Sequence, residues 1–433
     1  MEWWLLLIIA SVGLIFLMFA GVPIAFSLGF LALVLGITLV GPKILYLFGS
    51  LAYGKVNSFA LVAVPLFIFM AEVILVSGAT KDAFDMLHKW IGAAPGGLAI
   101  ASQVGCTLFA AVCGASTATT AVIGGIAVPE MLERKYEKRL ATGSIAAGGA
   151  LGVLIPPSIL LIIYGILAET SIGQLFIGGV IPGLLLASLF STYSLIRCSI
   201  NPSLGPPVKG ISWRDRFSSL WKILPLLLLA VFMFGALYTG ICTPTEVAGV
   251  GAFASVLIAL AYRRLNFANL KEAFFRTART TCFILWILVA ASAFGYVLSY
   301  LQVPQQLCAW AVALPVSRYV ILIGINLLLF ILGCIMDPAA IIMVTVPILV
   351  PLVQELGFDL VWFGVMFVVN MELAEITPPL GLNLYIMKAV APAEVTLSDI
   401  IRGAVPFMIL DIVGLALVII FPELILWLPS TMR

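Results

Sequence analysis

Residues 151–161 read LGVLIPPSILL and residues 372–385 read ELAEITPPLGLNLY, so two adjacent prolines stand twice inside apolar runs long enough to cross a bilayer. A proline has no N–H, and its ring clashes with the carbonyl four residues back. Pro156 and Pro157 therefore take the helical donors from the carbonyls of Gly152 and Val153, and Pro378 and Pro379 do the same to Ala374 and Glu375. An unpartnered backbone oxygen in hydrocarbon costs several kcal/mol, which lipid does not offset. A small hard cation such as Na+, which prefers oxygen ligands, does.

The surrounding composition fixes the medium. The 433 residues are 63% hydrophobic and 10% charged, with a mean hydropathy of +1.21, which describes an integral membrane protein. Apolar runs of about 20 residues suit helices, whose backbone bonds close within each span. The first run, MEWWLLLIIASVGLIFLMFA, carries Glu2 where a secretory signal carries basic residues, and reads as a retained helix. A net charge of +2 gives no sign of nucleic acid as a partner. Seven scattered cysteines without a CxxC, and a single histidine, support neither a zinc site nor a disulfide framework.

The proline pairs lie 222 residues apart, and the offset recurs. It carries Pro129 onto Pro351. FIGGVIP, ending at Pro182, faces IIRGAVP, ending at Pro406, after a two-residue slip, and Pro23 faces Pro244 at 221. The chain thus reads as a first repeat over 1–199, a cytoplasmic linker over 200–220 and a second repeat over 221–433. Within the first repeat, helices are expected near 3–20, 24–40 and 60–77, an amphipathic stretch near 80–92, a broken helix near 141–167 and a last helix near 175–197. The run 97–129 is interrupted by CGASTATT, and its partner 318–353 by GCIMDPAA; both read as re-entrant helical hairpins. The second broken helix is expected near 360–388. Five full crossings per unit is an odd number, which turns the second repeat upside down. With the N-terminus outside, 18 of the 22 Lys and Arg fall on one side, the bias of a cytoplasmic face.

Inverted repeats whose discontinuous helices meet at the midplane are the pattern of secondary transporters. The freed carbonyls would take further oxygens from Ser116, Thr117 and Thr119 in one hairpin, from Asp337 and the open backbone at Gly333 in the other, and from Thr377. Half-helix N-termini carry partial positive charge and suit an anionic substrate between the hairpin tips.

The motifs GASTATTAVIGGIAVPEM, GALGVLIPPS, LFIGGVIPG, DPAAIIMVTVPILVP and ITPPLGLNLY resemble the large membrane subunit of tripartite ATP-independent periplasmic (TRAP) transporters, the DctM type, within the ion transporter superfamily. The resemblance implies an all-α polytopic protein of the bacterial inner membrane, with a scaffold and a moving, elevator-type transport domain. It implies sodium-driven import of a small organic acid that arrives on a periplasmic substrate-binding protein (DctP type), and a small four-helix membrane subunit (DctQ type), expected as a separate chain. It places one sodium site around Ser116, Gly152 and Ile155 and a second at Gly333, Ala374, Thr377 and Leu380. Ser116, Thr117, Asp337 and Asn383 become the candidates for contact with the substrate. Asn370 and Glu372 also match the family pattern, and Ala374 stands where many relatives have glycine.

Plainer readings compete at several positions. A membrane Ser or Thr often bonds only its own i−4 carbonyl, and Asp337, before a proline, is also placed to cap a helix. Glu72 and Asp411 lie inside single spans, where carboxylates are functional candidates by default. An interfacial face accounts for His88, and Trp3, Trp4, Trp362 and Trp427 read as interface anchors. Two rival functions stand beside the transporter subunit: a dicarboxylate or citrate permease of the same superfamily that works without a binding protein, and a hydrolase using Asp337 with Glu372 or Glu375. The second lacks any accompanying catalytic motif, and one active site would need no repeat.

Overall fold

In the computed structural model, residues 2–208 and 210–432 are described, and every regular element among them is helical. The first ten helices are α1 (Trp3–Phe19), α2 (Ile24–Leu35, prolonged by a π turn to Val40), α3 (Ile44–Val56), α4 (Ala63–Val76, entered by the 3-10 turn Phe59–Val62), α5 (Ala79–Ile91), α6 (Gly97–Cys113), α7 (Ser116–Glu133), α8 (Lys138–Ala150, then a 3-10 turn Leu151–Val153), α9 (Ile159–Leu167) and α10 (Ile172–Ile200). The next ten are α11 (Trp213–Tyr238), α12 (Pro244–Ala261), α13 (Phe267–Tyr300), α14 (Val303–Val312), α15 (Arg318–Gly333), α16 (Pro338–Glu355), α17 (Leu360–Glu375), α18 (Leu382–Val390), α19 (Leu397–Ile420) and α20 (Glu423–Ser430). Seven helices among the described residues are long and apolar enough to cross a membrane.

Local chemistry sets the breaks. Regular helix stops at Val153 and Glu375, three residues before each proline pair, because a helix residue there would need an N–H that proline lacks. Pro156–Pro157 and Pro378–Pro379 are cis peptides. Gly114, with φ +65°, ends α6 in the left-handed region. The Thr243 hydroxyl and Glu246 carboxylate form a capping box at α12, and Thr396 with Asp399 does the same at α19.

Moving the second series back by 222 residues carries Pro338–Glu355 onto 116–133 and Leu360–Glu375 onto 138–153, the bounds of α7 and of α8 with its 3-10 turn. The same shift carries α13 onto 45–78. One 34-residue helix therefore stands where the first half has α3, a 3-10 turn and α4, interrupted at Asn57 and Ser58. Sequence reading leaves α3 out, because its 13 residues include Gly49, Gly54 and Lys55 and only Ile44 is buried. The helix presents Leu45, Tyr46 and Tyr53 outward.

The helices pack in two groups. In one, α4 lies against α12 and α13, and α2 against α13; in the other, α6, α7 and α19 surround α8, and α10 and α17 pack against α9. Tyr164 ties α9 to α17: its hydroxyl donates to the Leu360 carbonyl at 2.8 Å, and its ring fills the space where Gly364 has no Cβ. Trp362 is not an interface anchor. It is 2% exposed, its Nε1 donates to the Val418 carbonyl at 2.9 Å, and it stacks on Phe358. Trp4 and Trp427 are about half exposed, at 49% and 57%.

The apolar side of α5 follows the helical period, with Ala79, Thr80, Ala83, Phe84 and Leu87 inward. His88 does more than face an interface, since its Nδ1 lies 3.0 Å from Glu130 Oε1 on α7.

Candidate functional site

Two contacts of the same kind define the site, each a hairpin turn resting on a helix break. At the first, a Cβ on Gly152 would stand 3.0 Å from the Ser116 Cα and 3.1 Å from the Ala115 carbonyl carbon, so backbone meets backbone. Gly114, beside them, has its open side against the Pro157 carbonyl. Only glycine meets both demands there, a positive φ and that close approach. At the second, the open side of Gly333 faces the Ala374 Cβ, closer than two carbons allow if Gly333 carried a side chain.

The carbonyls at the breaks are not equivalent. The Ser158 hydroxyl donates to the Val153 carbonyl and also accepts from Leu161 N at 3.3 Å, capping α9. The Ala374 carbonyl accepts from Thr377 N at 3.1 Å. Of the four oxygens that the prolines strip of helical donors, those of Gly152 and Glu375 are the two left without a hydrogen bond; Ile155 N, beside the first, goes to Leu151. The Thr377 hydroxyl donates to the Leu373 carbonyl at 2.7 Å and keeps its lone pairs for another partner. Leu380 lies in the turn before α18, half-buried, one residue before Gly381 with φ +33°.

Glu375 joins the two halves and was not singled out as a side-chain ligand in the sequence. It is 5% exposed, Asn383 Nδ2 donates to its Oε2 at 3.4 Å, and the Ser116 hydroxyl and Asp337 carboxylate are its other neighbours. The signal was present as an acid three residues before a proline pair, but the backbone role of Glu375 masked its side chain.

The four helices that start beside the hairpin turns and the breaks, α7, α9, α16 and α18, differ in how their N-termini are finished. Ser158 caps α9, and Asp337 Oδ2 caps α16 by accepting from Ala339 N at 3.1 Å and Ala340 N at 3.4 Å. Neither α7 nor α18 has a side-chain cap. These two helices pack together, and they start at Ser116 and at Leu382. Leu384 N is spent on the Gly381 carbonyl at 2.8 Å, and the N–H groups ahead of it, with those at the start of α7, are left to meet an anion. Ser116 is buried and Thr117 half-buried at that end, while the Thr119 hydroxyl is spent on the Ala115 carbonyl at 2.8 Å.

Other polar residues sort by their contacts. Asn370 Nδ2 bonds Asn326, at 3.0 Å to the carbonyl and 3.1 Å to Oδ1, and so fastens α17 to α15. Glu72 lies 3.7 Å from Arg276 Nη1 on α13, an ion pair rather than an isolated acid. Glu372 and Asp411 are fully buried, and none of their four carboxyl oxygens has a hydrogen-bond partner among the described residues.

Residues 11–424 match the family described as Tripartite ATP-independent periplasmic transporter, DctM component. The chain belongs to this family. It is 37% identical over 373 residues to the C4-dicarboxylate TRAP transporter large permease protein DctM of Pseudomonas aeruginosa, covering 86% of each chain. It is 32% identical over 419 residues to the sialic acid TRAP transporter large permease protein SiaM of Vibrio cholerae, covering 96% of this chain and 97% of that one. These relatives are transporter subunits and not enzymes, and so is this TRAP large permease. Among solved structures, the YdaH transporter of Alcanivorax borkumensis superposes with a TM-score of 0.66 over 94% of this chain and 98% of its own, at 16% identity. That likeness concerns the fold alone.

Proposed function

We propose that this TRAP large permease is the transporting subunit of a sodium-coupled importer, working by an elevator mechanism at the bacterial inner membrane. In this reading the two series of helices are inverted repeats. The group around α8 and α17 moves against the scaffold of α2, α4, α12 and α13. A small organic acid anion arrives on a periplasmic substrate-binding protein, and a small membrane subunit accompanies the permease.

The observation that carries the reading is the pair of hairpin turns seated on proline-broken helices, with oxygens left over at each break. One sodium would draw on Gly152, Ile155 and Ser116, and a second on Gly333, Ala374, Thr377 and Leu380. The Glu375 carboxylate between the turns supplies charge to either. For the substrate, the uncapped starts of α7 and α18 favour Ser116, Thr117 and Asn383. Asp337 is occupied as a cap and is left to hold its hairpin in shape. The relatives carry C4-dicarboxylate and sialic acid in their names, which makes a carboxylate-bearing anion the class to test here.

The test is uptake into proteoliposomes holding the permease and its small subunit, with substrate-loaded binding protein outside. Uptake should require an inward sodium gradient. Ser116→Ala and Thr377→Ala should raise the sodium concentration for half-maximal uptake about tenfold with little loss of melting temperature, the loss of one oxygen ligand being of order 1.4 kcal/mol. Equal uptake in potassium would defeat sodium coupling, and equal uptake without the binding protein would point to the free-standing permease instead.

A further inference from the structure

We propose that Arg139 at the start of α8, Arg197 at the end of α10 and Arg402 at the start of α19 form a binding pocket for the phosphate of an acidic phospholipid. The three line one small cavity of about 70 Å³ together with Tyr193 and Phe407. The fold builds this convergence. A Cβ on Gly143 would fall on the Gly403 carbonyl, and one on Gly403 would fall on the Arg139 carbonyl, so α8 and α19 cross backbone to backbone one turn from two of the arginines. The third is positioned by aromatics: Arg197 Nη1 donates to the Tyr193 hydroxyl at 2.5 Å, and the Tyr193 ring stands edge-on to Phe407 at 5.2 Å.

Charge around the pocket is unbalanced. Lys138 adds a fourth cation, although its Nζ is engaged by the Glu394 carbonyl at 3.0 Å. Two carboxylates face the group: Glu137 Oε2 is 3.7 Å from Arg197 Nη2, and Asp399, which neighbours Lys138 and Arg139, bonds the Thr396 N and hydroxyl through Oδ2. Four cations against two acids leave two positive charges uncompensated. Guanidinium forks suit phosphate oxygens, and a cavity this size takes a phosphate but not a larger headgroup whole.

The surroundings select the source of that phosphate. The two helices that supply Tyr193, Arg197, Pro406 and Phe407 to the lining also expose Ile196 (54%) and Ile200 (80%) on α10 and Val405 (44%) and Ile409 (57%) on α19, within one turn of those residues. A soluble anion has no use for such a rim, whereas acyl chains lie along it. Arg139, Arg197 and Arg402 also belong to the side that holds 18 of the 22 Lys and Arg, where basic pockets between membrane helices meet acidic headgroups.

The experiment is native mass spectrometry of the purified full chain in detergent, titrated with dioleoyl phosphatidylglycerol or dioleoyl phosphatidylcholine, with and without inorganic phosphate. Phosphatidylglycerol adducts should dominate. Arg402→Gln, at an exposed position where folding is not at stake, should weaken them about fivefold. R139Q/R197Q/R402Q should reduce them to the phosphatidylcholine level, and Arg402→Lys should keep most of the binding. Equal adducts for both lipids, or a preference unchanged in Arg402→Gln and the triple variant, would overturn the proposal. Displacement by millimolar inorganic phosphate would overturn the lipid as the source.

Discussion

The His88–Glu130 contact joins the amphipathic α5 to α7, the second helix of the first hairpin. The hydrogen bond from His88, aided by Arg134 one turn along α7, holds the Glu130 carboxyl below its ordinary value of 4.5, against a smaller opposing effect of burial. A carboxyl depressed in the folded protein favours folding fully above its unfolded value, and that contribution is lost as pH falls through the folded one. Glu130→Gln is therefore expected to lower the melting temperature at pH 6–7, and the gap to the parent should close as pH falls below about 4.5. A gap that stayed constant down to pH 3.5 would mean that the carboxylate's charge plays no part. The same scale explains what remained hidden in the sequence. The capping role of Asp337 becomes visible only in three dimensions, where its Oδ2 accepts from the N–H groups of Ala339 and Ala340. The side chain of Glu375 gained its meaning only from Asn383 and Ser116, which the fold brings to it from eight and 259 residues away.

At the scale of elements, each break works because a turn from a distant hairpin sits on it. Gly333 and Ala374 leave no room between them, so Gly333→Ala should destabilise the protein by about 1–3 kcal/mol, the usual effect of overpacking. Ala374→Gly removes the methyl group in the way. The double variant G333A/A374G should recover most of the loss in thermal unfolding and in sodium-dependent uptake, a coupling expected of residues in contact. If the two losses simply add, the hairpin does not rest on the break as described. Elements of this sort are legible in a sequence because proline acts through covalent geometry, which no tertiary contact revises. Thus the ends of α8 and α17 follow from four prolines, and the start of α16 from Asp337-Pro338. By contrast, α3 is short, glycine-interrupted and almost wholly exposed, so neither its period nor its length marks it. Trp362 carried the composition signal of an interface, and only packing against Val418 and Phe358 places it in the core.

At the scale of the whole molecule, stability is given up at one place in particular. Glu372 on α17 and Asp411 on α19 are each fully buried, and their four oxygens have no hydrogen-bond partner among the described residues. Asp411 is the main charged neighbour of Glu372, with Glu375 next, and among the described residues no cationic side chain is a charged neighbour of the pair. Buried acids without partners disfavour the fold, and neutral isosteres of similar volume often raise stability. Such a pair persists where the fold uses it, which inside a membrane means an accompanying cation or proton. Glu372→Gln and Asp411→Asn should therefore each raise the melting temperature by a few degrees, as removal of about 1 kcal/mol of burial penalty implies. Uptake should fall at least tenfold in the same variants, and its dependence on external pH or sodium should change in shape. The two readouts separate the alternatives, since a purely structural acid would lose stability and activity together when replaced. Variants that are more stable and transport like the parent would show that the pair is tolerated rather than used. A gain in stability joined to a loss of coupling would place these two acids on the path of the transported charge.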